Sequence, residues 1–305
     1  MADTATTAAP GIRERDRAEA TTKKRDKGQG TPWWMWLAVA AIVIFCLFPF
    51  YWLINLSLKT GADLGDSSLI PPHPTLKNYQ SIFNNSDFTK SLRNSAIIAL
   101  FTTFLALMVG SFCAYALARL RFRGKFIILA LVLSITTFPA IAIAAPLFRL
   151  WSNMPFGLPE LFDTIPGLII PNLTFALPLA IYILVSFFKE IPKDLEEAAL
   201  VDGATHFMAF RKVVVPLAAP GLATAGILTF IATWNEFLLA ITLTSTPKAR
   251  PVPAAIAFFT GSTQFEIPYG TITAASVIIS VPLIIMVLLF QKRIVAGLTA
   301  GAVKG

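Results

Sequence analysis

Six apolar stretches, each near or above the length that crosses a bilayer, constrain this chain more than any other feature. A spanning helix needs about 20 mostly apolar residues. Such stretches run from Trp33 to Leu58, Asn94 to Ala118 and Phe126 to Phe148, then roughly from Pro166 to Phe188, Leu217 to Leu243 and Ile272 to Phe290. Hydrophobic residues make up 55% of the chain and charged residues only 14%, the latter about half the share of a soluble domain. Lipid offers no partner to a backbone N–H or C=O, so each stretch is expected to close its hydrogen bonds as a helix. The predicted class is an all-α membrane protein with six transmembrane helices. Cys46 and Cys113 both lie inside apolar runs and read as small buried hydrophobes, not as a disulfide or a metal site.

Six spans place both termini on one side, and charge says which. The segments on that side hold 18 Lys and Arg against 7 on the other. The positive-inside bias makes the richer side cytoplasmic. The short run Arg119-Leu-Arg121-Phe-Arg123-Gly-Lys125 is the clearest anchor. The net charge of +8 therefore orients the chain in the cell membrane and implies no nucleic-acid partner. Residues 1–31 mix basic and acidic side chains with Thr and Ala and read as a disordered cytoplasmic tail. The first span is too long for a cleavable signal, and no small-residue cleavage pattern follows it. Residues 32–291 form the six-helix domain, with a cytoplasmic loop at 189–217, and 292–305 form a cytoplasmic carboxyl tail. The largest external segment, about Thr60 to Lys90, is proline-rich at "IPPHPTLKNY" and is expected to make at most a small cap.

The loop at 189–217 is the polar island of the sequence. "KEIPKDLEEAALVDGA" opens with Pro192 at a predicted first helical position. Asp194, Glu196 and Glu197 follow where the positive end of the helix favours acids. Leu195, Ala198, Val201 and Thr205 recur at helical spacing as a mild apolar stripe. Gly203 bends or ends that helix. Phe207, Phe210 and Val214 make a second stripe, which Pro216 limits. A simple connection between spans needs none of this. The island is either an interfacial helix on the membrane or a docking element for a cytoplasmic partner, with the small residues Ala198, Ala199 and Gly203 allowing close approach.

Glu197-Ala198-Ala199, three residues, Gly203, nine residues, Val213, one residue, Val215-Pro216 resembles the coupling loop of ATP-binding-cassette importer permeases. The family pattern has Ile and Leu where this chain has Val213 and Val215. "PLAAPGLATAGILTFIATWNEFLLA" and the tail "QKRIVAGLTAGAVKG" are similar to the carbohydrate-uptake, MalG-like class. The resemblance implies a type I importer permease fold, with a loop that sits in a cleft of an ATPase subunit. Glu197, Ala198, Ala199, Asp202, Gly203 and Pro216 become the candidate coupling residues. It also implies a second homologous permease, two ATPase subunits that bind ATP and Mg, and an extracytoplasmic sugar-binding protein. Membrane lipid surrounds the spans. The chain itself would be non-catalytic and hold no cofactor, and its cargo would be a disaccharide such as trehalose. Another polar solute such as glycerol phosphate, or a non-transporting scaffold, are the alternatives. The tail from Gly297 to Gly305 either frays or reaches toward the ATPase.

No hydrolytic, redox or P-loop constellation accompanies these features. His73 and His206 fall on opposite sides of the membrane and cannot share a metal. Gly110, Gly221 and Gly226 read as close-packing sites between helices. One ionisable group lies inside a span: Glu236, beside Trp234 and Asn235. Intramembrane carboxylates usually face a bundle interior or an aqueous cavity. Glu236, Asn235, Trp234 and, in the fourth span, Asn172 are therefore candidate residues of a substrate path. Glu236 could equally pair with Arg149 or sit near the outer interface.

Overall fold

The computed structural model describes residues 32–259 and 268–299. The expected tail at 1–31 and the last residues of the carboxyl tail lie outside them. The chain divides into two compact units between Trp52 and Leu53. The first contributes most of α1, Trp33–Ser57, whose 25 residues would rise about 37 Å as a helix, enough to cross a hydrocarbon core. Everything that follows concerns the second unit.

After α1 a 3₁₀ turn, Gly61–Asp63, leads to α2, Lys77–Asn84, and then to α3, Ser86–Arg119. The segment expected to be external is thus partly helical, and it is tied down by polar side chains. The Lys59 ammonium is fully buried and donates to the Asp66 and Ser68 carbonyls at 2.6 and 3.1 Å. The Asn78 amide donates to the carbonyls of Ser57 and Lys59. The Thr60 hydroxyl donates to Asp63 and holds that carboxyl below its ordinary pKa. α3 starts eight residues before the apolar stretch because Asn85 caps it, accepting from the Asp87 and Phe88 N–H groups, with Asp87 in the favourable first turn.

The third span is not one straight helix. α4, Lys125–Ser134, passes through a 3₁₀ turn, Ile135–Thr137, and breaks before α5, Ala140–Ser152; the two halves meet at 87°. Pro139 follows Phe138, which takes an extended conformation, as a residue before proline prefers. The hydroxyls of Ser134, Thr136 and Thr137 each donate to a carbonyl three residues back, so the local turn meets its own hydrogen-bonding needs. α6, Ile165–Glu190, matches the fourth expected span, with Thr164 capping its start by accepting from the Gly167 N–H.

The island folds as α7, Lys193–Val201, and a second helical stretch α8, His206–Leu217. α8 holds a π turn over Phe210–Val214. α9, Ala219–Trp234, follows at 75°. The fifth span then departs from the expectation of a continuous helix from Leu217 to Leu243: it stops at Trp234 and restarts as α10, Leu238–Leu243. α11, Val252–Ile256, and α12, Tyr269–Thr299, complete the described chain. α12 exceeds the expected sixth span at both ends. Among the described residues, four helices can cross a membrane, or six if each bent pair is one span.

The core lies where α3, α6 and the α8–α9 segment meet. Ala114 and Leu117 of α3 pack with Leu184, Val185 and Phe188 of α6 and with Phe210, Val214 and Ala225. Small residues set the spacing: Ala106, Ala176 and Ala180 form one cluster, and a methyl added to Gly110 would lie 3.4 Å from the Ala180 methyl. Lipid gives helices no hydrophobic drive to associate, so close backbone approach and dispersion must hold them together.

Candidate functional site

The candidate coupling residues fall on α7 and the turn after it. Pro192 is the residue before α7, one position earlier than the sequence suggests. Gly203 ends the helix. Its φ is +87°, a region most side chains avoid at a cost of about 1–2 kcal/mol. The Gly203 N–H donates to Leu200 and the Ala204 N–H to Ala199, at 3.1 and 3.0 Å. Those paired bonds close the helix with a left-handed glycine and satisfy its last carbonyls. Thr205 then caps α8 by accepting from the Met208 N–H. Pro216 lies at the far end of α8, beyond the π turn and next to the 75° bend.

α7 is turned inside out for a helix on a folded protein. Glu197, Ala198 and Asp202 are exposed. So are the apolar Leu195 and Val201, the latter 87% exposed. The expected stripe of Leu195, Ala198 and Val201 therefore faces away from the bundle. The inward residue is an acid, Glu196, at 8% exposure. Its carboxylate lies 3.4 Å from the Arg119 Nε and accepts the Tyr115 hydroxyl hydrogen. Arg119 also donates to the Ile191 carbonyl at 2.8 Å, where α6 passes into α7. Sequence reasoning missed Tyr115, read Glu196 only as an acid suited to the start of a helix, and gave Arg119 only a role in orientation. The available signal was spacing: Tyr115 and Arg119 stand four apart on one face at the polar end of a span.

The second stripe packs as aromatic contacts. Phe210 is buried and meets Tyr115 edge-on at 4.9 Å, Phe112 at 5.3 Å and Phe188 edge-on at 6.4 Å. Phe207 stays 58% exposed. A groove of about 360 Å³ runs between the Arg119–Arg121 end of α3 and α7, lined by Arg121, Lys193, Glu196, Glu197 and His206 among others.

The candidate path residues separate. Glu236 sits in the break of the fifth span. Its two carboxylate oxygens accept the Leu239 and Ala240 N–H groups at 2.7 and 3.0 Å. Glu236 thereby caps α10 and takes backbone partners, not Arg149. Asn172 lies nearby: both line a cavity of about 10 Å³ with Ser95 and Thr233, room for about one water and not for a sugar. The Asn172 amide donates to the Leu168 carbonyl. Trp234 is buried elsewhere, stacked on Phe230 at 5.5 Å and packed with Ala99, Ile279 and Met286. Asn235 donates to the Ile231 carbonyl.

Residues 88–299 match the family described as the binding-protein-dependent transport system inner membrane component. The chain is 52% identical to the trehalose transport system permease protein SugB of Mycobacterium tuberculosis, over 88% of this chain and 97% of that protein. It is 41% identical to the trehalose/maltose transport system permease protein MalG of Thermococcus litoralis, over 88% of this chain and 96% of that protein. A solved chain of a bacterial ABC transporter involved in import of the polysaccharide alginate superposes with a TM-score of 0.71 at 21% identity, covering 94% of this chain and 99% of that one. That likeness shows the fold alone. With the family match spanning both α7 and the spans around it, the chain belongs to the binding-protein-dependent transport system inner membrane components, the permeases of ABC importers.

Proposed function

We propose that this chain is one permease half of an ATP-driven sugar importer whose cargo is a disaccharide of the trehalose type. The observation that carries the reading is α7: small and apolar residues turned outward, ended by Gly203, at the spacing of a coupling loop. Apolar side chains grouped on one exposed face mark a surface that a partner covers. The partner is an ATPase subunit, which holds ATP and Mg. Glu197, Ala198, Ala199, Asp202 and Gly203 meet it, and Pro216 at the end of α8 fixes how the segment leads into the fifth span. A second homologous permease completes the path, and an external binding protein delivers the sugar. Both termini and the island then lie in the cytoplasm, in keeping with the 18 to 7 distribution of basic residues. The identity with two permeases named for trehalose transport supports the cargo.

Alternating access follows if nucleotide binding favours one position of the island over another, because a ligand shifts an equilibrium only through differential contacts. Deleting the gene and measuring initial uptake of labelled trehalose, maltose and glycerol phosphate tests the reading. Loss of trehalose uptake, restored by the intact gene, is the expected result. Loss of glycerol phosphate uptake alone would replace the sugar with that solute, and unchanged uptake of all three would remove the transport assignment.

A further inference from the structure

We propose that Arg119 and Tyr115 are positioning residues that lock α7 to the spans, so that movement of that helix reaches the bundle through Glu196. The inference rests on the coupling role given to α7 above. Among the described residues, no buried apolar cluster contains a residue of Lys193–Val201. Of its apolar side chains, Leu195 and Val201 are exposed, and Leu200 is half-buried at the groove, outside those clusters. What holds the helix inward is polar. Arg119, with its side chain 4% exposed, faces Glu196 at 3.4 Å and reaches the Ile191 carbonyl at 2.8 Å. One guanidinium therefore meets both the entry to α7, by a hydrogen bond, and its first turn, by an ion pair, a double contact suited to its planar fork. Tyr115, one turn earlier on α3, donates to the other Glu196 oxygen and packs edge-on against Phe210 of α8.

An apolar contact is non-directional, whereas a buried carboxylate held by one hydrogen bond and one ion pair favours one register. α3 is also the helix that lies along α6 through the core. A push on α7 is thus delivered to the ends of two spans at once.

The test uses the whole complex, with its partner permease, ATPase and binding protein, in proteoliposomes. Arg119→Gln and Tyr115→Phe are compared with wild type for sugar moved per ATP hydrolysed. Spin labels at Val201 and Leu100, in a background with Cys46 and Cys113 replaced by serine, report the distance from α7 to the outer face of α3. In Arg119→Gln the complex is expected to assemble and hydrolyse ATP, while sugar moved per ATP falls about tenfold and the Val201–Leu100 distance distribution broadens. Tyr115→Phe keeps the ion pair and shows the same changes more weakly. If Arg119→Gln fails to assemble, Tyr115→Phe decides. A wild-type ratio and an unbroadened distribution in the assembled variants would overturn the proposal. Failure of both variants to assemble would also overturn it, by placing the two residues in assembly. Should the wild-type complex move no sugar, the importer reading fails by itself, and the distance distribution still decides whether the lock exists.

Discussion

The Glu236 carboxylate accepts the Leu239 N–H at 2.7 Å across a break in a helix that hydropathy draws as continuous. An acid that would be expensive in lipid is thereby placed on the positive end of α10, where two donors receive it. Glu236→Ala should leave the N–H groups of Leu239 and Ala240 without these partners. The expected cost is about 1 kcal/mol, the usual loss on removing a helix cap, read as a lower unfolding temperature of the purified complex. Hydrogen exchange at Leu239 and Ala240 should quicken, and Glu236→Gln, which keeps one acceptor, should do less of both. Unaltered exchange at these amides would remove the capping role.

Gly203 separates backbone demand from surface demand. A Cβ there would meet nothing within 4 Å, yet φ is +87°. Gly203→Asn should preserve the turn, since asparagine tolerates the left-handed region, and retain ATPase association. Gly203→Leu adds backbone strain of about 1–2 kcal/mol and bulk on the outward face, and should lose ATPase association while the chain still inserts. Co-purification of the ATPase with each variant checks this, and equal retention by Gly203→Leu would contradict it.

The glycines read from the sequence as packing sites divide into two kinds. A methyl at Gly221 would overlap the Phe187 ring, whereas at Gly110 it would rest at 3.4 Å from the Ala180 methyl. Gly221→Ala should destabilise the protein by about 1–3 kcal/mol, the usual range for overpacking, and Gly110→Ala should be near neutral. Thermal unfolding of the detergent-solubilised chain in its complex separates them; the reverse order would contradict the packing described.

Much of this architecture was legible because a bilayer leaves few choices. Span existence followed from apolar length, and α6, Ile165–Glu190, begins and ends within about two residues of its expected bounds, inside ordinary boundary scatter. The break near Pro139 carried a proline that could have been weighted more heavily. The break at Asn235–Phe237 carried none. No proline or glycine marks it, and the acid that stabilises it looked equally like a path residue or an ion-pair partner. The helix pair of the island was legible from spacing and turn chemistry, including the turn at Gly203. Glu196 was not, because it is one of two adjacent acids, and only the burial of one of them on α3 distinguishes it from Glu197.

Orientation has its own check. With Cys46 and Cys113 removed, a cysteine at position 72 should react with an impermeant thiol reagent added to intact cells. Cysteines at positions 123 and 197 should be protected until the membrane is opened. External labelling at 197 would place the island on the wrong side for an ATPase.

ATP-dependent uptake of labelled trehalose into proteoliposomes holding this chain, its partner permease, the ATPase and the sugar-loaded binding protein tests the central claim most directly. The account predicts uptake that requires ATP and this chain together, and that is lost in Gly203→Leu with the other subunits present. Sugar uptake that proceeds equally without this chain, or ATP hydrolysis stimulated by the loaded binding protein with no sugar entering, would contradict it.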